Sequence, residues 1–155
     1  MNLKVGDFAP DFNLPDAVGK KHKLSDFKVK KLLIYFYPKD NTSGCTKEAC
    51  SLRDNMPDFG KRKTQVVGIS GDSVDSHAKF SQKFNLNFLL LADPEKEVLK
   101  RYGVWQRKSM YCRKYMGTVR NSFLIGEEGK IIKIYEKVRP DVHAAQVLVD
   151  LKKLD

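Results

Sequence analysis

The sequence lacks the features that mark a membrane protein or a secreted protein. It contains no run of about 18 consecutive apolar residues, the length that a membrane-spanning helix needs. Its first residues, Met-Asn-Leu-Lys-Val-Gly-Asp, lack the apolar core of a secretory signal peptide. Three cysteines in 155 residues are too few for a scaffold held together by disulfides. We therefore expect a cytoplasmic protein whose cysteines are thiols at rest.

Residues that bind metals are few and scattered. The three cysteines and three histidines are Cys45, Cys50, Cys112, His22, His77 and His143. No C-x-x-C pair occurs, which excludes a zinc knuckle and a thioredoxin-type redox motif. We expect no metal site, because tetrahedral sites use clustered ligands. The histidines at positions 77 and 143 are expected at an edge or on the surface rather than in catalysis.

The chain is basic, with 29 Lys and Arg against 19 Asp and Glu, a formal charge of +10. A nucleic-acid-binding module would explain this charge and stays an alternative. However, the cations lie in short separate clusters, and no zinc-finger, RNA-binding or helix-turn-helix signature is present. We expect solvated cations that steer acidic partners at low salt, and no specific nucleic-acid partner.

Apolar runs alternate with helical patterns. Residues 32–37, 65–70 and 88–91 read as buried strands, and residues 122–125 and 131–135 flank Glu127-Glu128-Gly129 as an antiparallel hairpin. A chain of this length suits one domain, spanning residues 1–155. The pattern predicts an α/β fold with a mixed central sheet covered by helices on both faces.

Three helices are predicted after the first strands. Ser73 caps a helix that places His77 and other residues on one face, and Asp93-Pro94 opens a short helix that runs through Tyr102. The last segment places a single apolar stripe at helical spacing. Its members are Ala144, Val147, Leu148, Leu151 and Leu154.

The chemistry-bearing stretch covers residues 35–50, from the end of a buried strand into a helix. Thr42 is a natural N-cap, so Ser43, Gly44 and Cys45 form the first helical turn. The free N–H groups of that turn and the helix dipole favour a thiolate over a thiol. We therefore predict that Cys45 is the nucleophile.

Helical spacing separates the two nearby cysteines. Cys45 shares an apolar stripe with Ala49 and Leu52, continued by Met56 and Phe59, whereas Cys50 lies about 140° away. Cα atoms five residues apart in an intact helix are roughly 8.7 Å apart, and a disulfide needs them within about 7 Å. The two cysteines cannot bridge unless the helix unwinds, which Gly44 and Pro57 make easier. From spacing alone, both cysteines also fit as small packing residues.

The same stretch resembles the active-site signature of the peroxiredoxins, Pro-x-x-x-Thr-x-x-Cys, here Pro38, Thr42 and Cys45. Its extended form, Tyr-Pro-Lys-Asp-x-Thr-x-Gly-Cys-Thr-x-Glu-Ala-Cys, resembles the Q-type, or bacterioferritin-comigratory-protein, subclass. Further matches run along the chain, from Val5-Gly6-Asp7 to Ser122-Phe123-Leu124-Ile125. The resemblance implies a thioredoxin-like fold and thiol peroxidase activity without metal, haem or flavin.

The resemblance also implies roles for individual residues. Cys45 matches the peroxidatic cysteine, which becomes a sulfenic acid as it reduces hydrogen peroxide or an organic hydroperoxide. Thr42 matches the hydroxyl that binds thiolate and substrate, Arg120 the cation that stabilises them, and Pro38 the shield against water. Cys50 matches the resolving cysteine, whose intramolecular disulfide a thioredoxin-like donor reopens. Relatives of this subclass are often monomers, and we expect a monomer here.

Some assignments stay open at this point. Glu48 either joins the polar network of the site or is an exposed carboxylate near a helix N-terminus. Cys112, beside Arg113 and Lys114, is either an incidental surface thiol or a second resolving or mixed-disulfide site. Ser43 stands where many relatives have proline, which loosens the first turn slightly. A disulfide reductase on the same fold is the remaining enzyme alternative, disfavoured because C-x-x-C is absent.

Overall fold

The computed structural model describes residues 3–27, 30–110 and 112–154. The strands are β1 (Asn13–Pro15), β2 (Lys21–Lys23), β3 (Lys31–Phe36), β4 (Thr64–Ser70), β5 (Leu89–Ala92), β6 (Trp105–Met110), β7 (Arg113–Thr118), β8 (Ser122–Ile125) and β9 (Ile131–Tyr135). The α-helices are α1 (Ser43–Asp54), α2 (Met56–Lys61), α3 (Val74–Lys83), α4 (Glu97–Arg101) and α5 (His143–Lys153), and a 3₁₀ turn covers Leu24–Phe27. No helix in these ranges is both long and apolar enough to cross a membrane.

A five-stranded mixed sheet in the order β5-β4-β3-β8-β9 organises the fold. Strands β3, β4 and β5 are parallel, and β8 and β9 continue the sheet in antiparallel pairing. Strand β3 is central, and its residues from Leu32 to Phe36 are buried. A strand hydrogen-bonded on both sides and covered on both faces is a rigid support for whatever follows its carboxyl end.

Alternate residues of β3 enter two separate cores. Leu32, Ile34 and Phe36 face a cluster that includes residues of α4 and the 3₁₀ turn. Leu33 and Tyr35 face the other cluster, which contains residues of α1, α2, α3 and α5. Helices therefore cover both faces of the sheet. The predicted architecture, a mixed central sheet with helices on both faces, is confirmed.

The five strands predicted from apolar runs are confirmed to within about one residue at each end, and β8 and β9 do form the antiparallel hairpin. Two small antiparallel pairs, β1–β2 and β6–β7, were not predicted from the sequence. Most positions of these strands carry polar or charged side chains, including Lys21, Lys23, Arg107 and Lys108, so no apolar alternation signals the strands.

Three details of the predicted helices are corrected or confirmed. The hydroxyl of Ser73 caps α3 by accepting the N–H of Ser76 at 3.1 Å, as predicted. Helix α4 starts at Glu97 rather than at the Asp93-Pro94 pair, although the Asp93 carboxylate still accepts the N–H of Leu99 at 2.9 Å. On α5 the predicted stripe is wrong only at Leu154, which is exposed because the helix ends there.

The prediction that two histidines lie at an edge or on the surface is wrong. His77 and His143 are both fully buried, since α3 and α5 turn these positions towards the sheet. Polar partners in the interior accept or donate to each ring: Asp40 and the Leu91 carbonyl for His77, and Ser122 for His143. Sequence spacing alone does not identify such partners, because they come from distant elements.

Candidate active site

Cys45 lies where the sequence analysis places it, in the first turn of the helix that follows β3. Helix α1 begins at Ser43, and the residue before it, Thr42, has an extended backbone. Cys45 is 1% exposed and belongs to the same core cluster as Ala49 and Leu52. The sulfur is therefore sheltered, at a helix end whose unpaired N–H groups carry partial positive charge.

Thr42 occupies the N-cap position without serving as a side-chain cap. Its hydroxyl donates to the carbonyl oxygen of Lys39 at 2.9 Å, and no helix N–H bonds to it. The prediction of the cap position is confirmed, while the expected side-chain bond is absent. Thr42 is exposed and Pro38, at the bend after β3, is half-buried. Both residues lie in the loop of residues 37–42 that leads into Cys45.

Arg120 links the thiol of Cys45 to a buried carboxyl group. Its guanidinium donates from Nη2 to Cys45 Sγ at 3.3 Å and from Nη1 to Glu48 Oε1 at 2.7 Å. The backbone of Arg120 is fixed as well, because its carbonyl accepts the N–H of Val138 at 2.8 Å. Burial opposes the charge of Arg120, but the charges of Glu48 and Cys45 outweigh it and leave the pKa of Arg120 above its usual range. A permanent positive charge therefore lies beside the sulfur.

Glu48 is part of this network and is fully buried, so the alternative of an exposed first-turn carboxylate is wrong. Burial raises the pKa of Glu48 to about 7, and the opposing effects of the Arg120 charge and hydrogen bond are smaller. Glu48 Oε2 and the hydroxyl of Tyr35 are buried and have no hydrogen-bond partner among the described residues. Burial, followed by the charges of Glu48 and Cys45, raises the pKa of Tyr35 well above its ordinary value, which keeps this phenol neutral.

Gly44 makes room for the guanidinium. A Cβ atom at this position would lie 3.2 Å from Arg120 Nη2 and 3.6 Å from Pro140 Cγ. The glycine therefore lets Arg120 cross the first turn of α1 at the distance that the bond to Cys45 requires. From the sequence, Gly44 is only a weak point of the helix, because the approach of a residue 76 positions away leaves no local signal.

The other two thiols lie apart from this cluster. Cys50 is half-buried in the same uninterrupted helix as Cys45, and all three cysteines are free. The helical stripe predicted to continue to Phe59 is divided at Asn55, where α1 ends and α2 begins. Cys112 is exposed at the turn between β6 and β7, with φ of 64°, and Tyr111 beside it lies outside the described residues.

Of the predicted site residues, the structure brings Cys45, Arg120 and Glu48 into direct contact. Thr42 and Pro38 line the loop next to them, while Cys112 is on a separate hairpin. The pairing of Asp40, in this loop, with His77 of α3 was not predicted from the sequence; Asp40 Oδ2 lies 2.6 Å from His77 Nδ1. The Tyr-Pro-Lys-Asp motif contains Asp40, but only the fold shows that His77 lies beside it.

The chain is similar to known proteins over nearly its whole length. The family model described as the AhpC/TSA family matches residues 5–134. The chain is 43% identical to peroxiredoxin Bcp of Bacillus subtilis, with 99% of this chain and 98% of the relative covered. It is 44% identical to peroxiredoxin Bcp of Escherichia coli, with 97% of each chain covered.

Two solved structures are also similar. A bacterioferritin comigratory protein of Xanthomonas campestris has a TM-score of 0.88 and 34% identity, covering 92% of this chain and 91% of that one. A mutant of PrxQ from Xylella fastidiosa has a TM-score of 0.94 and 32% identity, covering 99% and 98%. The chain belongs to the AhpC/TSA family, as a Bcp-type (PrxQ-type) peroxiredoxin. This peroxiredoxin is accordingly a thiol peroxidase.

The contact between Gly44 and Arg120 yields the first prediction. Gly44→Ala should move the guanidinium by a few tenths of an ångström and slow peroxide reduction roughly tenfold, less than the 10²–10³ that complete loss of a donor costs. Alanine should at the same time stabilise α1 by up to about 1 kcal/mol. Stopped-flow kinetics and chemical denaturation measure the two effects separately.

Gly60→Ala is the matched control for that variant. Gly60 is also helical, and a Cβ there would meet nothing within 4 Å. This peroxiredoxin should therefore gain stability from the Gly60 change and keep its rate. Equal rates in both variants would show that the approach of Arg120 over Gly44 does not matter.

The raised pKa of Glu48 yields a prediction about stability. Between pH 4.5 and about 7 the unfolded chain ionises this carboxyl group while the folded protein keeps its proton. Stability is therefore full below that window and falls as pH rises through it, by on the order of 3 kcal/mol. Glu48→Gln should remove this decline in denaturation measured at several pH values. The exposed Glu127→Gln should retain it, and an unchanged slope in Glu48→Gln would refute the assignment.

Proposed function

We propose that Cys45 is the nucleophile of this thiol peroxidase and that its substrates are alkyl hydroperoxides and hydrogen peroxide. The observation that carries the proposal is the 3.3 Å contact from Arg120 Nη2 to Cys45 Sγ at the start of α1. A cation and helix N–H groups around one sulfur favour attack by a thiolate. The relative from Xanthomonas campestris is described by its alkyl peroxide reduction activity, which supports the substrate class.

The chemical step transfers one oxygen atom. The Cys45 thiolate attacks one peroxide oxygen, the O–O bond breaks, and the sulfur becomes a sulfenic acid. The other oxygen leaves with the bonding electron pair and takes a proton, so an alkyl hydroperoxide gives an alcohol and hydrogen peroxide gives water. Arg120 stabilises the charge that moves from the sulfur to the leaving oxygen. The sulfur supplies both electrons.

Thr42 and Pro38 position the substrate in this proposal. The hydroxyl of Thr42 already donates its hydrogen to the Lys39 carbonyl, so its lone pairs are the part left for a substrate. A peroxide O–H is the matching donor. Thr42 and Ser43 are exposed whereas Cys45 is covered, so the peroxide enters from the Thr42 side. Pro38 offers apolar surface that limits water at this entrance.

Cys50 is proposed as the resolving residue. Its thiolate attacks the sulfenic sulfur of Cys45, a disulfide forms, and the sulfenic oxygen leaves as water after taking a proton. Because both cysteines lie in one intact helix, α1 has to unwind before the sulfurs meet. The first turn has neither a side-chain cap nor an acidic residue, and Ser43 replaces the stiffer proline, so unwinding there costs little.

A dithiol protein of the thioredoxin type then completes the cycle. Two thiols of the donor reduce the Cys45–Cys50 disulfide, and the donor leaves with its own disulfide. A reducing cytoplasm provides such donors. All proposed groups come from one chain and one domain of residues 1–155, so a monomer suffices for turnover.

Replacing Cys45 tests the nucleophile. Cys45→Ser should abolish peroxide reduction, because a serine hydroxyl is not ionised at neutral pH and cannot accept an oxygen atom. Cys112→Ser should retain the full rate and serves as the control. Peroxide consumption coupled to a thioredoxin system measures both, and substantial turnover by the Cys45 variant would refute the proposal.

Replacing Cys50 tests the resolving step separately. Cys50→Ser should still consume one equivalent of peroxide but should stop at the sulfenic acid, so thioredoxin-coupled turnover is lost. Mass spectrometry of the unreduced protein after one equivalent of peroxide identifies the sulfur pair in the unsubstituted protein. A disulfide that contains Cys112 would transfer the resolving role to that residue.

A further inference from the structure

The loop that leads into Cys45 is fastened by a buried carboxylate, Asp40. This side chain is 3% exposed, and the residue lies five positions before the proposed nucleophile. The hydroxyl of Tyr37 donates to Asp40 Oδ1 at 2.5 Å, and the hydroxyl of Ser76 donates to Oδ2 at 2.8 Å. Nδ1 of His77 lies 2.6 Å from Oδ2. The bond from Tyr37 lies within the loop, and the contacts with Ser76 and His77 tie the loop to helix α3.

The partners of His77 define which hydrogens its ring carries. Nε2 lies 3.0 Å from the carbonyl oxygen of Leu91, a group that only accepts, so Nε2 carries a hydrogen. On the other side, both oxygens of Asp40 already accept hydroxyl hydrogens, one from Tyr37 and one from Ser76, so Asp40 acts as an acceptor. Nδ1 therefore donates to it. With a hydrogen on each nitrogen, the ring is an imidazolium.

A second carboxylate stabilises this buried cation and holds the main chain of the loop. Oxygen atoms of Asp40 and Asp72 lie with a His77 nitrogen in a group whose atoms are all within 4.8 Å of one another. Asp72 Oδ2 accepts the backbone N–H of Asp40 at 2.8 Å and the hydroxyl of Ser70 at 2.8 Å. Both the side chain and the backbone of Asp40 are thus fixed to the sheet end and to α3.

We propose that His77, as a buried imidazolium paired with Asp40, is a positioning residue that holds the loop of residues 37–42 and the start of α1 in the peroxide-reactive arrangement. The proposal rests on the role proposed above for Cys45. The carbonyl of Lys39, next to Asp40, accepts the Thr42 hydroxyl and orients it. The His77–Asp40 pair, which we call the anchor, therefore influences the substrate side of the site. The same anchor opposes the unwinding of α1 that a disulfide between Cys45 and Cys50 requires.

The first test observes the ring of His77 directly. The chain has only three histidines, so nitrogen-15 NMR of the imidazoles gives a simple spectrum. His143 is an internal reference, because its Nδ1 has no partner among the described residues and burial lowers its pKa to about 4. We expect two protonated nitrogens for His77 and one for His143 at neutral pH. A single protonated nitrogen on His77 would overturn the proposal.

The second test separates positioning from ordinary loss of stability. His77→Gln should slow the first oxidation of Cys45 by about tenfold to a hundredfold, while the later disulfide closure keeps its rate or becomes faster. Ser76→Ala removes one donor to Asp40 and leaves the ion pair intact. It should therefore slow the oxidation of Cys45 only a few-fold, again without slowing disulfide closure. It stays informative even where the His77 variant fails to fold.

Tyr135→Phe is the control for the effect on the oxidation rate. It removes a partly buried hydrogen bond, from the Tyr135 hydroxyl to Asp150 at 2.7 Å, at the β9 edge of the sheet. This variant should lose stability but oxidise at the normal rate. Oxidation that slows equally in Tyr135→Phe and Ser76→Ala would overturn the proposal. If the unsubstituted protein formed no Cys45–Cys50 disulfide, the proposed resolving role of Cys50 would be wrong. The oxidation rates of the variants would still test the role of His77.

Discussion

The site depends on one guanidinium that two acidic groups share. Arg120 stays charged at any physiological pH, and it donates to the sulfur of Cys45 and to the carboxyl of Glu48 through separate nitrogens. Two anions next to one cation would compete for its charge. Burial of Glu48, which raises its pKa to about 7, reduces that competition because this carboxyl is often protonated near neutral pH. More of the positive field of Arg120 is then available to the sulfur of Cys45 and to the peroxide oxygen that leaves when the O–O bond breaks.

The rest of the fold holds the parts of this contact at fixed distances. Strand β3 is buried on both faces and fixes the start of the loop, while the helix that contains Cys45 packs through Ala49 and Leu52 on the same core. Arg120 lies in the segment between β7 and β8, where its backbone carbonyl accepts a hydrogen bond from the N–H of Val138. The cysteine is thus both a core residue and the proposed nucleophile, and any unwinding of α1 removes it from Arg120 and from the core together.

Much of this was predictable from the sequence, and the part that was not has a common physical origin. Dense apolar runs predicted the five strands of the main sheet, and the spacing between Thr42 and Cys45 predicted the helix start. Features that depend on residues far apart in the chain were not predicted. These are the burial of Glu48 and the close approach of Arg120 to Gly44. The hairpin β6–β7 was not predicted either, because its strands bury too little apolar surface to leave a pattern in the sequence.

The two buried histidines show why such contacts decide function. His77 and His143 are equally inaccessible and both occupy helices that pack on the sheet, so neither sequence pattern nor burial distinguishes them. Their partners do. His143 has one ring nitrogen without a partner among the described residues, and burial therefore favours its neutral form. His77 lies beside the carboxylates of Asp40 and Asp72 and the carbonyl of Leu91, and in the proposed arrangement its doubly protonated ring donates to Asp40 and to that carbonyl. The same residue type thus fills space at one helix and anchors the loop of the active site at another.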